Sequence, residues 1–320
     1  MHHGRRPDSE TGGNGAHRGG IEMELRSENE RWSIPAPDME ASPLTAEGMR
    51  ELEADFSKVK IVKYIRDVEF ANIDGVSLKL QLLLPSTVGD GEKRPLVLFI
   101  RGSAWQKQSV VPGIPQLVEM ARRGFIVASV EYRPAPGFHF PTQSDDGWLA
   151  LEFLREHAEE LGWDTDKLAA WGSSSGAHTA LLMAMMPEYR ERSLRIGAVV
   201  DYYGPAYLPA MIDYHSTSTE HLDELLGVPV KEHLDLAEKA SPVSYLEGET
   251  PAVLILHGDK DKSCSFEQSV ILYRRMREAG KDATMYRMHN AAHGGSPFWT
   301  PQVLDIVEAF LCEKLNWKKA

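Results

Sequence analysis

Gly172-Ser173-Ser174-Ser175-Gly176 matches the pattern G-x-S-x-G. An apolar stretch, Lys167–Trp171, precedes it, and a helical stretch beginning GAHTALLMAMM follows it. A serine on a sharp turn between strand and helix projects its hydroxyl above the sheet, where it can attack a carbonyl carbon. Glycine two places either side lets the backbone turn tightly and the two elements approach closely. Of the three consecutive serines, only Ser174 is central, with glycine at both −2 and +2. Ser173 and Ser175 read as small fillers of the turn, and the Ser175 backbone N–H is placed to bind an oxyanion. A helix starting there favours developing negative charge.

A serine hydroxyl is a weak nucleophile at neutral pH and needs a base oriented by a third group. Acid and then base follow such a turn in chain order. The chain has 12 histidines, and only His289 and His293 lie beyond the acid candidates. His293 sits in the loop Asn290-Ala291-Ala292-His293-Gly294-Gly295, from which it can reach Ser174; His289, at a strand end, reads as structural. His178, one helical turn past the serine, is expected to pack near the site without reacting. Asp259 and Asp261 share a polar loop after a buried strand. Asp259 directly follows His257-Gly258 and is expected to cap the turn. Asp261 is the preferred acid: ionised, it would fix the imidazole tautomer and stabilise imidazolium. The oxyanion hole needs further N–H groups from the loop Arg101-Gly102-Ser103-Ala104-Trp105, where Ser103 and Ala104 are the expected donors beside Ser175. Trp105, Phe140, Tyr203 and Trp299 are candidates for the substrate pocket, Trp105 as the wall of the acyl site.

These groups need a frame. Short, continuously apolar runs at 95–102, 125–133, 167–172, 196–204, 251–258 and 283–289 suit strands buried on both faces of a parallel sheet. Helical stretches at 114–123, 143–161, 176–186, 266–279 and 301–315 alternate with them, which gives βαβ units and a doubly wound sheet. Two alternating runs near 59–70 and 76–85 join at Asn72-Ile73-Asp74-Gly75, a hairpin signal. The fold class expected is therefore α/β, an eight-stranded, mostly parallel sheet with helices on both faces and an antiparallel hairpin at its start. Residues 1–57 read as a partly disordered arm with one helix at 45–56. Residues 58–320 read as the catalytic domain, with an insertion at about 205–241. That insertion forms either a small lid above the carboxyl ends of the strands or a plain surface connection.

The chain's 320 residues suit one large α/β domain. Its net charge of −12 argues against nucleic acid or an anionic membrane as partner. Cys264 and Cys312 are too few for a disulfide framework and sit in no C-x-x-C motif, so free thiols and no metal site are expected. No cofactor is implied, and oligomeric state is not legible. The first 20 residues contain no apolar leader, no run is long enough to span a bilayer, and the expected compartment is the cytoplasm.

From about Val59 to Asn316 the chain resembles α/β-hydrolase esterases of the carbohydrate-esterase-like group related to acetylxylan and feruloyl esterases, which border on the hormone-sensitive-lipase and prolyl-oligopeptidase families. RGSAW stands where the family usually has H-G-G-G followed by Trp or Phe. EYRPAPGFHFP resembles its Y-R…F-P segment, and WGSSSGAH its elbow G-x-S-A-G-G-H. DYYGP and ASPVSYL flank the insertion, HGDKD with Glu267-Gln268-Ser269 resembles the acid loop, and AAHGG the histidine loop. The resemblance implies a serine carboxylic-ester hydrolase for short acyl groups, acetyl above all, on small-molecule or carbohydrate esters. Arg101–Ala104 departs from H-G-G-G, and Cys264 stands where a small apolar residue is usual, an inert packing thiol. Two rival readings differ in class. A prolyl-oligopeptidase-like peptidase would need a large guarding domain for which this chain has no room. A non-catalytic binding homologue would be expected to have lost a member of the triad.

Overall fold

The computed structural model describes residues 40–53, 61–85, 93–212, 214 and 219–318. The expected disorder of the first 20 residues lies outside them. Contacts divide the chain into residues 1–59 and 60–320. In the first unit, residues 45–53 form one turn and no helix; the rest of the helix expected at 45–56, residues 54–56, lies outside the described residues.

The second unit contains one eight-stranded sheet. The strands are β1 (Val62–Ile73), β2 (Val76–Pro85), β3 (Arg94–Ile100), β4 (Ile126–Val130), β5 (Trp163–Ser173), β6 (Ala198–Tyr202), β7 (Ala252–Gly258) and β8 (Ala283–Met288). They lie in the order β1-β2-β4-β3-β5-β6-β7-β8. β1–β2 and β2–β4 pair antiparallel, and every pair from β4–β3 to β7–β8 is parallel. Asp74 and Gly75, at φ 53° and 82°, make the two-residue turn between β1 and β2. Positive φ at both positions matches the twist of a hairpin.

The helices are α1 (Ile114–Arg122), α2 (Thr142–Glu156), α3 (Ser175–Met185), α4 (Glu220–Leu226), α5 (Leu234–Lys239), α6 (Phe266–Glu278) and α7 (Pro301–Lys314), with single turns at Ala158–Leu161 and Pro187–Arg190. The stretch expected as one helix over 143–161 breaks at His157, whose φ of −103° leaves the helical range. Along the strands, side chains alternate between faces. Val97, Phe99, Ala169, Trp171, Val200 and Leu254 pack with α1 and α7. Their neighbours Leu96, Leu98, Leu168, Ala170, Val199 and Val253 are also fully buried, so the other face is covered too. There α3 packs on β3, β5 and β6 and against α2.

The expected strand at 196–204 is shorter, Ala198–Tyr202. Tyr203 takes φ 47° and turns the chain away, while Asp201 Oδ1 accepts the Gly204 N–H at 2.8 Å. The loops following β3, β5, β6, β7 and β8 all leave from the carboxyl edge, where such sheets bind ligands. They carry Arg101–Trp105, Ser174, Tyr203, Asp261 and His293.

Candidate active site

Ser174 has φ 53° and ψ −127°, a conformation most residues avoid. Its backbone N–H donates to the Tyr202 carbonyl at 2.8 Å, which ties the turn to β6. A side chain on Gly176 would collide with the Ile100 carbonyl, and one on Gly172 with the start of α3. The two glycines therefore allow strand, turn and helix to meet at this strained point.

Ser174 Oγ lies 2.9 Å from His293 Nε2, and His293 Nδ1 lies 2.6 Å from Asp261 Oδ2. Two residues the sequence placed 32 positions apart are thus joined by the loops after β7 and β8. The Asp261 side chain is fully buried. Its Oδ1 accepts the backbone N–H groups of Ser263 at 2.8 Å and Cys264 at 2.9 Å. Its Oδ2 also takes a bond from His257 Nε2 at 3.0 Å. Burial by itself would raise its pKa. The bonds from His257, His293 and the Cys264 backbone outweigh that and hold the carboxyl well below the usual aspartate range. It stays ionised at neutral pH.

Nothing in the sequence alone singles out His257. Fully buried in β7, it spans Asp261 and Ser269, whose Oγ lies 2.7 Å from His257 Nδ1. Its motif, HGDKD, was legible, but only packing shows that the histidine reaches the acid four residues on. Asp259 points elsewhere: it accepts from Arg287, His289 and the Asn290 N–H, so it ties its loop to the end of β8 instead of capping its own turn. His289 is exposed and pairs with Asp259. Burial holds the Cys264 thiol protonated, well above its ordinary range, with the Asp261 charge adding to the effect.

On the opposite side, the Arg101–Trp105 loop is fastened to the serine turn. The Gly102 N–H donates to Ser173 Oγ at 3.1 Å and the Ser103 N–H to Ser175 Oγ at 2.9 Å. This corrects the expected donor set, because the Ser103 N–H is already engaged. Ser173 and Ser175, read as fillers, are acceptors that lock two loops together. Among the described residues, the N–H groups of Ala104 and Ser175 have no protein acceptor. Ala104 and Trp105 both take positive φ, 53° and 60°.

Burial pushes the His178 imidazole down to about 4, so it is neutral. With Nε2–H donating to the Ala240 carbonyl at 2.7 Å, Nδ1 is free to accept the Trp105 indole N–H at 3.1 Å. Trp105 in turn packs with Leu208, Leu222, Leu225, Leu226 and Val230 of the 205–241 segment. That segment also brings the Tyr214 hydroxyl to the Asp261 carbonyl at 3.0 Å.

The cleft above Ser174 has a volume of about 590 Å³. Arg101, Ser103, Ala104, Trp105, Ser174, Ser175, Tyr203 and His293 line it, as do Pro205, Met211, His221 and Leu222 from the segment and Lys262 and Ser263 from the acid loop. Two expected pocket residues are not there. Trp299 stacks on Trp171 at 5.3 Å within the core, and Phe140 packs against the Trp105 cluster. Tyr203 lines the cleft with its ring 4.7 Å from that of His293. Met211, His221 and Lys262 had no sequence signal, because their place in the wall depends on how the insertion folds back. Among the described residues, no cluster of side chains could hold a metal ion and no helix is long and apolar enough to cross a membrane.

The architecture is that of an α/β-hydrolase. The BD-FAE family model matches residues 80–276, and the chain belongs to that family. Esterase LipQ of Mycobacterium tuberculosis is 28% identical over 222 residues, covering 63% of this chain and 51% of LipQ. The chain thus spans about half the length of this curated relative. Esterase 2 of Thermogutta terrifontis is 25% identical in a form phosphonylated by sarin (TM-score 0.66, 80% of this chain and 95% of that one). In its butyrate-bound form it is also 25% identical (TM-score 0.64, 79% and 94%). A truncated carbohydrate esterase from gut microbiota shares the fold at 22% identity (TM-score 0.68, 79% and 96%).

Proposed function

We propose that this protein is a serine carboxylic-ester hydrolase acting on short-chain acyl esters, acetyl among them, of small molecules or carbohydrates. The observation that carries the reading is the unbroken line from buried Asp261 through His293 to Ser174 Oγ, with bonds of 2.6 and 2.9 Å, opening into a cleft. In the reaction, Ser174 Oγ attacks the ester carbonyl carbon as His293 Nε2 takes its proton. The Ala104 and Ser175 N–H groups bind the oxyanion, helped by the N-terminus of α3. Collapse of this intermediate expels the alcohol, protonated by His293, and leaves Ser174 acylated. Water, deprotonated by His293, then attacks the acyl carbonyl and releases the acid. Asp261 remains an anion throughout and holds Nδ1–H of the imidazole.

Similarity to esterases supports the reaction class, and the butyrate-bound structure of the Thermogutta protein supports a short acyl group. The test is turnover of 4-nitrophenyl acetate, butyrate and octanoate by wild type and Ser174→Ala. The variant is expected to lose kcat on the order of 10⁴-fold or more, and the wild type to prefer the short chains. Near-wild-type turnover by Ser174→Ala overturns the assignment.

A further inference from the structure

We infer that the cleft selects esters carrying a negative charge, a carboxylate or similarly compact anion near the scissile carbonyl, and that Arg101 is the residue that selects them. The inference rests on the esterase reading and names its substrate class.

The chain carries a net charge of −12, yet among the described residues lining the cleft none is Asp or Glu, while Arg101 is cationic. Among the described residues, the two carboxylates that contact histidines of the lining are already engaged. Asp261 is held by His257 and His293. Glu224 accepts from Gln106 at 2.8 Å and lies 3.5 Å from His221 Nδ1. Among the described residues the lining is therefore positive on a negative protein, and such a spot concentrates anions locally.

Arg101 is the specific part of that spot. Elsewhere, Arg123, Arg133 and Arg192 each pair with carboxylates. Among the described residues Arg101 makes no ion pair, and its one guanidinium bond runs from Nη1 to the Ser109 carbonyl at 2.6 Å. A guanidinium carries five N–H donors in a planar fork that matches a carboxylate. This one is half-buried, so an anion there is less screened than at an open surface. Its location is fixed as well: it is followed directly by Gly102 and Ser103, whose N–H groups are bonded to the hydroxyls on either side of Ser174.

Matched ester pairs test this. Monomethyl succinate against methyl succinamate places the charge on the acyl side. 4-Acetoxybenzoate against 4-acetoxybenzamide places it on the alcohol side. For at least one pair the wild type is expected to favour the anion in kcat/KM by about 10-fold or more, and the preference should shrink as NaCl is raised. Arg101→Gln should remove that preference, a loss of about 10- to 100-fold for the anion, with the neutral partner within about twofold. Arg101→Lys should keep part of it. Equal kcat/KM for both members of both pairs in the wild type overturns the inference, as does an Arg101→Gln loss that falls equally on anion and neutral partner. Should no ester turn over, the esterase reading has failed. Calorimetric affinities of monomethyl succinate and methyl succinamate then read the charge preference directly, and equal affinities overturn it.

Discussion

The two walls of the cleft are built on opposite principles. On the acid side, the carboxylate that orients the base is buried and fully partnered. Asp261 accepts from Ser263, Cys264, His257 and His293, and its side chain is wholly out of solvent. On the oxyanion side, Ala104 and Trp105 take positive φ, and Ala104 lines the cleft with no acceptor for its N–H among the described residues. Arg101 carries a charge that no carboxylate answers among the described residues. A saturated network holds one geometry because any departure strands a buried charge. A strained loop with spare donors is complete only when something binds. Orientation of the base is thus fixed by one wall, and the choice of substrate is left to the other.

The hardest blow to the first wall is Asp261→Asn. The amide keeps the shape and removes the anion, so the His293 tautomer is no longer enforced and the imidazolium loses its counter-charge. On the proposed mechanism kcat falls on the order of 10⁴-fold, measured with 4-nitrophenyl acetate. A loss below about 10-fold would mean that the saturated network does not govern the base.

His257→Ala tests whether saturation itself matters. Removing one buried partner of a charged group costs about 1–3 kcal/mol, and kcat should drop about 10-fold if part of that reaches the base. pH supplies a second readout. Asp261 is held below its ordinary range in the folded protein, so the folded state binds its proton less readily than the unfolded chain. The stability this contributes is present above the usual aspartate range and is lost as pH falls through the folded value. Without His257 the folded value rises, the contribution shrinks, and the midpoint of acid unfolding moves to higher pH. An unchanged midpoint removes His257 from the network.

The sequence reveals these two walls unequally, for a physical reason. Ser174, Asp261 and His293 announce themselves because the chemistry fixes their types and the sheet fixes their order along the chain. The inner strands are legible for a similar reason, since burial on both faces demands unbroken apolar runs such as PLVLFI and PAVLIL, whereas the hairpin is read from alternation and its turn, and β8 is half exposed. The open wall is made otherwise. Ser103 looked like a donor from its place in the loop, and nothing local says that the Ser175 hydroxyl takes its N–H. Trp299 and Phe140 are aromatic enough to line a pocket, and only the packing of Trp171 and Trp105 assigns them elsewhere. Met211 and His221 reach the cleft because leucines 222, 225 and 226 fold the 205–241 segment onto Trp105, a contact between segments about a hundred residues apart.

The mildest change probes the strained wall. At φ 53°, Ala104 occupies a conformation that costs an alanine roughly 1 kcal/mol and a glycine almost nothing. Ala104→Gly removes that strain in the folded state. It also gives the unfolded chain more freedom to lose, worth about 0.4–1 kcal/mol in the opposite sense. The two nearly cancel, so the unfolding midpoint should stay within a few degrees of wild type. The N–H remains, now on a softer backbone. The expected fall in kcat is about two- to fivefold, far short of the 10²- to 10³-fold that follows loss of an oxyanion donor. The same measurement on His257→Ala should show the reverse ordering, with stability falling more plainly. If Ala104→Gly instead lowers the midpoint as far as His257→Ala does, the left-handed turn is held by contacts as tight as those around Asp261, and the two walls are built alike.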